Sequence, residues 1–287
     1  MPASALPHCL VVGTGYTGQR LLARLATDRA TGLSRTHGGN VLELDLDTGM
    51  PWPTRAHLPG QKTTIVYTVP PAKQAANDRR LERFLGLLPG LPGRFVYLST
   101  SGVYGDCRGE LVSETAAPAP ATERAQRRCA AEQHLQQWSA AQGVSTIILR
   151  VPGIYGPGRL GLERIRRGEP VLHLDEAPPG NRIHVDDLVS CCLAALADDV
   201  PAGIYNVGDG DNRSASWFSG EVARQAGLPA PAMITREQAA AQFSPMRLSF
   251  LNESRRLDLS KMHTVLQPAI RYPNAADGIA AALTSQL

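Results

Sequence analysis

Val11-Val12-Gly13-Thr14-Gly15-Tyr16-Thr17-Gly18 is a G-x-G-x-x-G run that follows a short apolar stretch and opens an amphipathic segment carrying Leu21, Leu22 and Leu25. The three glycines have separate tasks. Gly13 lets the chain turn sharply, Gly15 admits a pyrophosphate against bare backbone, and Gly18 lets a helix pack closely on the strand before it, its positive end facing the anion. Tyr16 and Thr17 lie inside this turn and count with the glycines as dinucleotide-binding positions. The competing reading, a tight turn with no ligand, is disfavoured by the strand before and the helix after. The adenosine ribose is expected at the end of the second strand, where the chain reads Ser34-Arg35-Thr36. A carboxylate there accepts from a 2′-hydroxyl and repels a 2′-phosphate, whereas a guanidinium flanked by hydroxyls suits a phosphate dianion. The sequence thus favours NADP over NAD, with a solvent-exposed Arg35 as the alternative. Asp45-Leu46, after the third strand, is placed to accept from an adenine amino group. Thr68-Val69-Pro70-Pro71, after the fourth, should run along the dinucleotide, the prolines stiffening that wall and removing amide donors.

These residues need a scaffold that aligns strand ends. Short β-rich runs recur at Cys9 to Val12, weakly up to Ser34, then at Val41 to Leu44, Thr64 to Val69, Phe95 to Ser99, Thr146 to Val151 and Ile204 to Val207. Helical patterns lie between most of them, at Gln19 to Ala26, Asn77 to Leu88, Glu123 to Ala141 and Val185 to Ala197. Such alternation implies an α/β protein with a doubly wound, Rossmann-type parallel sheet covered on both faces. Past Gly156 the alternation weakens, with Pro157, Pro170, Pro178 and Pro179 breaking the chain. Residues 1–156 and 183–208 are expected to form the dinucleotide-binding domain, and 157–182 with 209–287 a smaller, discontinuous substrate lobe.

Farther along stands Phe95-Val96-Tyr97-Leu98-Ser99-Thr100-Ser101-Gly102-Val103-Tyr104-Gly105-Asp106. This resembles the Ser/Thr-x-x-VYG element of the extended short-chain dehydrogenase/reductases, the NAD-dependent epimerase/dehydratase family. Leu149-Arg150-Val151-Pro152-Gly153-Ile154-Tyr155-Gly156-Pro157-Gly158 is similar to that family's LR-x-x-x-x-YGP segment. Arg182-Ile183-His184-Val185-Asp186-Asp187-Leu188 and Ile204-Tyr205-Asn206-Val207-Gly208 are similar to its IHVDDL and YNVG segments. The resemblance gives Thr100 the place of the catalytic hydroxyl that bonds the substrate oxygen, and puts Ser99 and Pro152 among the cofactor-contacting positions. In the family's dehydratases the next two positions are acidic. Here they are Ser101 and Gly102, which disfavours sugar 4,6-dehydration.

The family's Tyr-x-x-x-Lys pair is missing. Aligning its K-x-A-A-E with Arg128-Cys129-Ala130-Ala131-Glu132 puts Arg128 on the lysine and Arg124 on the tyrosine; no tyrosine lies between Tyr104 and Tyr155, and no lysine between Lys73 and Lys261. Arg124, Arg128, Ala131, Leu135 and Trp138 share one helical stripe, so both arginines are expected to face the cleft rather than solvent. Arg128 retains the positional half of the lysine's task, donating to ribose hydroxyls or phosphate. Arg124 can bind an anionic substrate or polarise a carbonyl but is no general base. Tyr155, following the sixth strand at the carboxyl end of the sheet, is the first candidate for the proton, against a reading of it as a packing residue. His184 with Asp186 and Asp187 reads as structural. Arg159 and Arg182 are placed to meet a phosphorylated or carboxylated substrate.

Composition narrows the rest. In 287 residues, 29 basic and 26 acidic side chains leave a formal charge of +3 with the arginine pairs scattered, which argues against a nucleic-acid binder. Five cysteines without CxxC or His/Cys ligand spacing suggest neither a disulfide framework nor a metal site, and a reducing compartment fits. No stretch approaches the roughly 20 apolar residues of a membrane span, so a cytoplasmic protein is expected; the oligomeric state stays open, although the resembled family often forms homodimers through helices equivalent to Asn77 to Leu88 and Glu123 to Ala141. Two functions remain open: an NADP-dependent oxidoreductase or epimerase-like enzyme on a small carbonyl, hydroxyl or sugar-derived substrate, and a non-catalytic NAD(P)-binding sensor or partner-binding protein.

Overall fold

The computed structural model describes residues 8–27, 29–53, 63–72 and 77–285. Its first half alternates as the periodicity predicts: β1 (His8–Val12), α1 (Tyr16–Arg24), β2 (Ala30–Ser34), β3 (Val41–Glu43), β4 (Thr63–Tyr67), α2 (Arg79–Leu87) and β5 (Arg94–Thr100). After a short β6 (Leu111–Val112) come α3 (Glu123–Gln142), β7 (Ser145–Val151), β8 (Gly153–Tyr155), α4 (Leu162–Arg166), β9 (Val171–Leu172), β10 (Arg182–His184), α5 (Val185–Ala194) and β11 (Gly203–Asn206). Seven strands form one parallel sheet in the order β3-β2-β1-β4-β5-β7-β11. This is the doubly wound topology the alternation implied.

Strand side chains alternate between two cores. Cys9, Val11, Val66, Val96 and Leu149 face one way and pack with Leu21 of α1 and Leu188 and Cys192 of α5. Leu10, Val12, Ile65, Tyr67, Phe95 and Tyr97 face the other, against Leu81 and Phe84 of α2 and Leu135 of α3. Burial on both faces is why β4 reads as an unbroken run, with all five residues buried. Helix α1 begins earlier than its apolar spacing suggests, at Tyr16, because Gly15 stands at its N-cap. Helix α3 is bounded by Thr122, whose hydroxyl accepts from the Ala125 amide at 3.3 Å, and by Gly143 at φ 67°.

The remainder adds α6 (Ala215–Gln225), β12 (Met233–Ile234), α7 (Arg236–Gln242), α8 (Pro245–Leu251), β13 (Arg256–Leu257) and α9 (Ala275–Thr284). Three parallel strand pairs, β8 with β10, β9 with β12 and β6 with β13, tie it to the sheet's loops. Tyr155, Leu160, Ile165, Val222, Ala223 and Ile279 make a separate apolar cluster, and Leu172, Ala239 and Phe243 a smaller one. The C-terminal segment also returns to the sheet: Met262 and Leu266 join its first core. The Asp187 carboxylate accepts the amides of Arg271 and Tyr272 at 2.8 and 3.0 Å, fastening that segment to α5.

Candidate functional site

The strand order reverses between β1 and β4, and a cavity of about 570 Å³ opens there at the carboxyl ends of the strands. Ligands bind at such a switch point in open α/β sheets. The glycine turn forms its floor. Gly13 has φ 92°, and a Cβ on it would lie 2.7 Å from Thr68 Oγ1, which itself donates to the Gly13 carbonyl at 2.7 Å. A Cβ on Gly18 would collide with the same carbonyl oxygen. Gly15 is different: nothing lies within 4 Å of where its Cβ would be, and no side chain caps the start of α1. Open space above an uncapped helix start is what a pyrophosphate requires, so these residues fit a dinucleotide.

Ser34 and Arg35 at the end of β2 line one end of the cavity, with Leu44, Asp45, Leu46 and Asp47 beyond β3. Thr36 is exposed and outside the lining. Asp45 accepts the Asp47 amide at 2.9 Å. Two arginines stand here, and they differ. Arg80 is spent on Asp47, with Nε to Oδ1 at 2.7 Å, and on the Pro70 carbonyl at 3.0 Å; its hydrogen bond holds the Asp47 carboxyl below the usual range. Arg35 is exposed and forms no hydrogen bond or ion pair among the described residues. Sequence reasoning missed Arg80 and Asp47, whose pairing bridges α2 and the loop after β3.

Thr68, Val69 and Pro70 line the middle, as expected, and Leu98, Ser99, Arg128, Val151, Ile154 and Arg159 complete the far end. Pro152 lies between two lining residues without lining the cavity itself. Arg128 Nη1 donates to the Leu98 carbonyl at 2.7 Å and the Tyr97 hydroxyl at 3.1 Å, which holds it at the cleft wall. Burial pushes the Tyr97 phenol up to about 12. Arg159 stacks over the Tyr16 ring at 3.9 Å, opposite Arg20 at 4.1 Å, while the Tyr16 hydroxyl donates to the Pro157 carbonyl at 2.9 Å.

Below the cleft runs a polar network that the sequence did not disclose. The Ser99 hydroxyl donates to Glu132, which pairs with Arg150 at 2.7 Å; the two charged side chains are only 3% and 2% exposed. Arg150 lies over the Tyr104 ring at 4.6 Å, and the Tyr104 hydroxyl donates to Asn206 Oδ1 at 2.7 Å. Asn206 Nδ2 in turn donates to the Val112 and Asp258 carbonyls at 3.0 and 3.2 Å, joining β11 to β6 and the segment after β13. A trace of this was available, since Arg150 is a charge between Leu149 and Val151 within an apolar strand.

The three catalytic nominees do not meet in the cavity. Thr100 lies just outside its lining, where Oγ1 accepts from the Gly102 amide at 3.1 Å and starts the short turn Ser101–Tyr104. Arg124 lies over the Phe250 ring at 4.5 Å rather than in the cofactor cleft. Tyr155 is buried with its hydroxyl unpartnered, its ring 5.3 Å from both His184 and Phe218; burial raises its pKa far above the usual phenol value. The Tyr155 backbone does sit at the carboxyl end of the sheet, but its side chain turns into the cluster formed by α6 and α9. His184 Nδ1 accepts from the Asp186 amide at 3.2 Å, capping α5. Arg182 is consumed internally by the carbonyls of Arg213 and Ser214 and by Asp211, so of the two arginines proposed for a substrate anion only Arg159 reaches the cleft. Among the described residues no His, Cys, Asp and Glu group is arranged to hold a metal, and no helix is long and apolar enough to cross a membrane.

Residues 80–208 match the model of the NAD dependent epimerase/dehydratase family. A solved structure of a functionally unknown conserved protein from Silicibacter pomeroyi is similar to it at 27% identity, covering 97% of this chain and 99% of that one with a TM-score of 0.80. A dTDP-6-deoxy-L-talose 4-dehydrogenase (NAD(P)(+)) of Kitasatospora kifunensis is 25% identical over 248 residues, 76% of this chain and 78% of that protein. The uncharacterized protein y4nG of Sinorhizobium fredii is 31% identical over 124 residues, 40% of this chain, and the match spans only 30% of that relative's length. The chain shares its fold with MoeE5 in complex with UDP-glucose and NAD, at 21% identity, 96% and 97% coverage and TM-score 0.72. It also shares it with a human epimerase family protein holding NADPH, at 17% identity, 96% and 99% coverage and TM-score 0.69.

Proposed function

We propose that the protein is an NADP-dependent oxidoreductase acting on a carbonyl or hydroxyl group of a small or sugar-derived substrate. Arg35 carries the cofactor choice. It is an exposed guanidinium at the adenosine end of the cavity with no hydrogen bond or ion pair among the described residues, whereas Arg80 is hydrogen-bonded to Asp47, whose charge also acts on Arg35. A free planar fork at that position suits a 2′-phosphate, and no carboxylate at the end of β2 opposes it. The dehydrogenase of Kitasatospora kifunensis supports sugar-derived chemistry.

A bound nicotinamide supplies hydride chemistry; the chain supplies position. Gly15 and the start of α1 receive the phosphates, Arg128 holds the wall beside the ribose, and Ser99 is fixed by Glu132. Thr100 Oγ1 accepts one hydrogen bond and keeps its own hydrogen to donate toward a substrate oxygen. No guanidinium replaces the missing phenol as an acid or base, so the proton reaches the substrate oxygen through Thr100 or solvent. The second reading, a non-catalytic sensor, is favoured by the burial of the Tyr155 hydroxyl.

Calorimetry with NADP and NAD, joined to NADPH consumption across an aldehyde and ketone panel, separates these. Arg35→Asp should weaken NADP about 10- to 100-fold more than NAD, the value of hydrogen bonds to a charged group. Equal losses would remove Arg35 from cofactor selection. Turnover that disappears in Thr100→Ala supports catalysis, whereas tight NADP binding without turnover in the unaltered protein favours the sensor.

A further inference from the structure

Arg124 and Arg128 are four residues apart on α3, so they sit on one face, a single helical turn from each other. Arg128 reaches the cofactor cavity, where its Nη1 donates to Leu98 and Tyr97. Arg124 lies one turn nearer the helix start. Its neighbour Ala125 packs against the Thr100 turn, where a Cβ on Gly102 would lie 3.4 Å from Thr100 Oγ1 and 3.7 Å from the Ala125 Cβ. On its other side Arg124 meets α8, its guanidinium stacked 4.5 Å from the Phe250 ring centre. Phe250 is itself half exposed although apolar.

Stacking engages only the face of a guanidinium and leaves its N–H groups directed outward in the plane. None of them finds a hydrogen-bond or ion-pair partner among the described residues. Glu253, the carboxylate whose charge acts on Arg124, is held by Arg255 at 3.0 Å. Arg124 is exposed, so its unpaired N–H groups are open to a ligand arriving from solvent.

We propose that Arg124 is the receptor for a carboxylate or phosphate group on the substrate, its plane fixed by Phe250, so that small anionic carbonyl or hydroxy compounds are the preferred substrates. The chemistry of turnover rests on the oxidoreductase reading, but the anion site does not. Two parallel N–H bonds from the guanidinium edge orient a carboxylate or phosphate and thereby direct the rest of the molecule toward Thr100. Arg159, stacked on Tyr16 beside the glycine turn, belongs to the dinucleotide side instead.

The test compares the unaltered chain with Arg124→Gln and Phe250→Leu, using Arg127→Gln as control because Arg127 pairs with Glu123 on the same helix. NADP-saturated protein is titrated with malonate and with inorganic phosphate by calorimetry. NADPH consumption is followed with succinic semialdehyde against butyraldehyde, and glyceraldehyde 3-phosphate against glyceraldehyde. Arg124→Gln should weaken anion binding about tenfold or more and lower the charged-to-neutral kcat/KM ratio by a similar factor through KM, with Phe250→Leu intermediate and Arg127→Gln unaffected. NADP affinity should move less than about twofold on the same scale. The proposal is overturned if the NADP-bound protein takes up neither anion, if Arg124→Gln binds them as before, or if NADP affinity is what falls, which would place the guanidinium on the cofactor's phosphates. If no aldehyde is reduced, the oxidoreductase reading fails alone, and calorimetry still decides the anion site.

Discussion

Glu132→Ala leaves Arg150 charged and enclosed, and the structure sets the scale of the damage. The pair meets at 2.7 Å with both side chains almost wholly buried, and Arg150 Nη1 already lacks a partner. Removing one member of such a pair costs roughly 3–5 kcal/mol, mostly from stranding the other charge. The Ser99 hydroxyl at the cleft floor loses its acceptor at the same time. With a urea m-value of roughly 3 kcal/mol/M for a chain of this size, the unfolding midpoint should fall by about 1–1.7 M. Tryptophan fluorescence at Trp52, Trp138 and Trp217 follows the transition, and an unchanged m-value is needed for the comparison. Glu132→Gln, which keeps an acceptor for Ser99, should lose less. The double variant Glu132→Leu/Arg150→Met should be more stable than Glu132→Ala, since no charge is then left unpaired. A loss below about 1 kcal/mol for Glu132→Ala would refute the argument, because that is the scale of an exposed pair.

Two further outcomes follow from buried oxygens that lack partners. Burial raises the Asp209 carboxyl from its ordinary 3.8 to about 7, with the Asp211 amide and Arg182 countering and the Asp211 carboxylate adding to the shift. Between those pH values the unfolded chain releases a proton that the native state keeps, so this group's contribution falls as pH rises, at up to roughly 1.4 kcal/mol per pH unit. Asp209→Asn should therefore gain stability relative to the unaltered chain from pH 5 to pH 8, read from denaturation midpoints, and parallel curves would show that the carboxylate is solvated. Tyr155→Phe removes a hydroxyl with no hydrogen bond, so stability should stay within about 1 kcal/mol or rise. A larger loss in thermal unfolding would mean that the oxygen has a partner.

What could be read from the sequence was local. A glycine turn between strand and helix demands particular backbone shapes at Gly13, Gly15 and Gly18, and those demands are written in neighbouring residues. Strand and helix periods fixed the alternation in the same way, and with it the parallel sheet and the cleft at its carboxyl ends. Ser34, Arg35, Thr68, Val69 and Pro70 reached the cavity because each stands within a few residues of a strand end. Thr36 and Pro152 stand as near to strand ends and still miss it, Thr36 lying in the exposed bend after β2.

Only tertiary structure decided which charges are spent. Arg80 and Arg35 are indistinguishable as residue types, yet Asp47 takes hydrogen bonds from one and acts on the other only through its charge. Arg182 looks like an anion receptor until the carbonyls of Arg213 and Ser214 close around it, and Tyr155 looks like a proton donor until its ring enters the cluster under α9. The sequence placed Arg124 and Arg128 on one stripe, but Phe250 and Leu98, far from each in the chain, determine what they can bind. Hydrogen-bond donors and acceptors are satisfied by proximity in space, which local spacing does not encode.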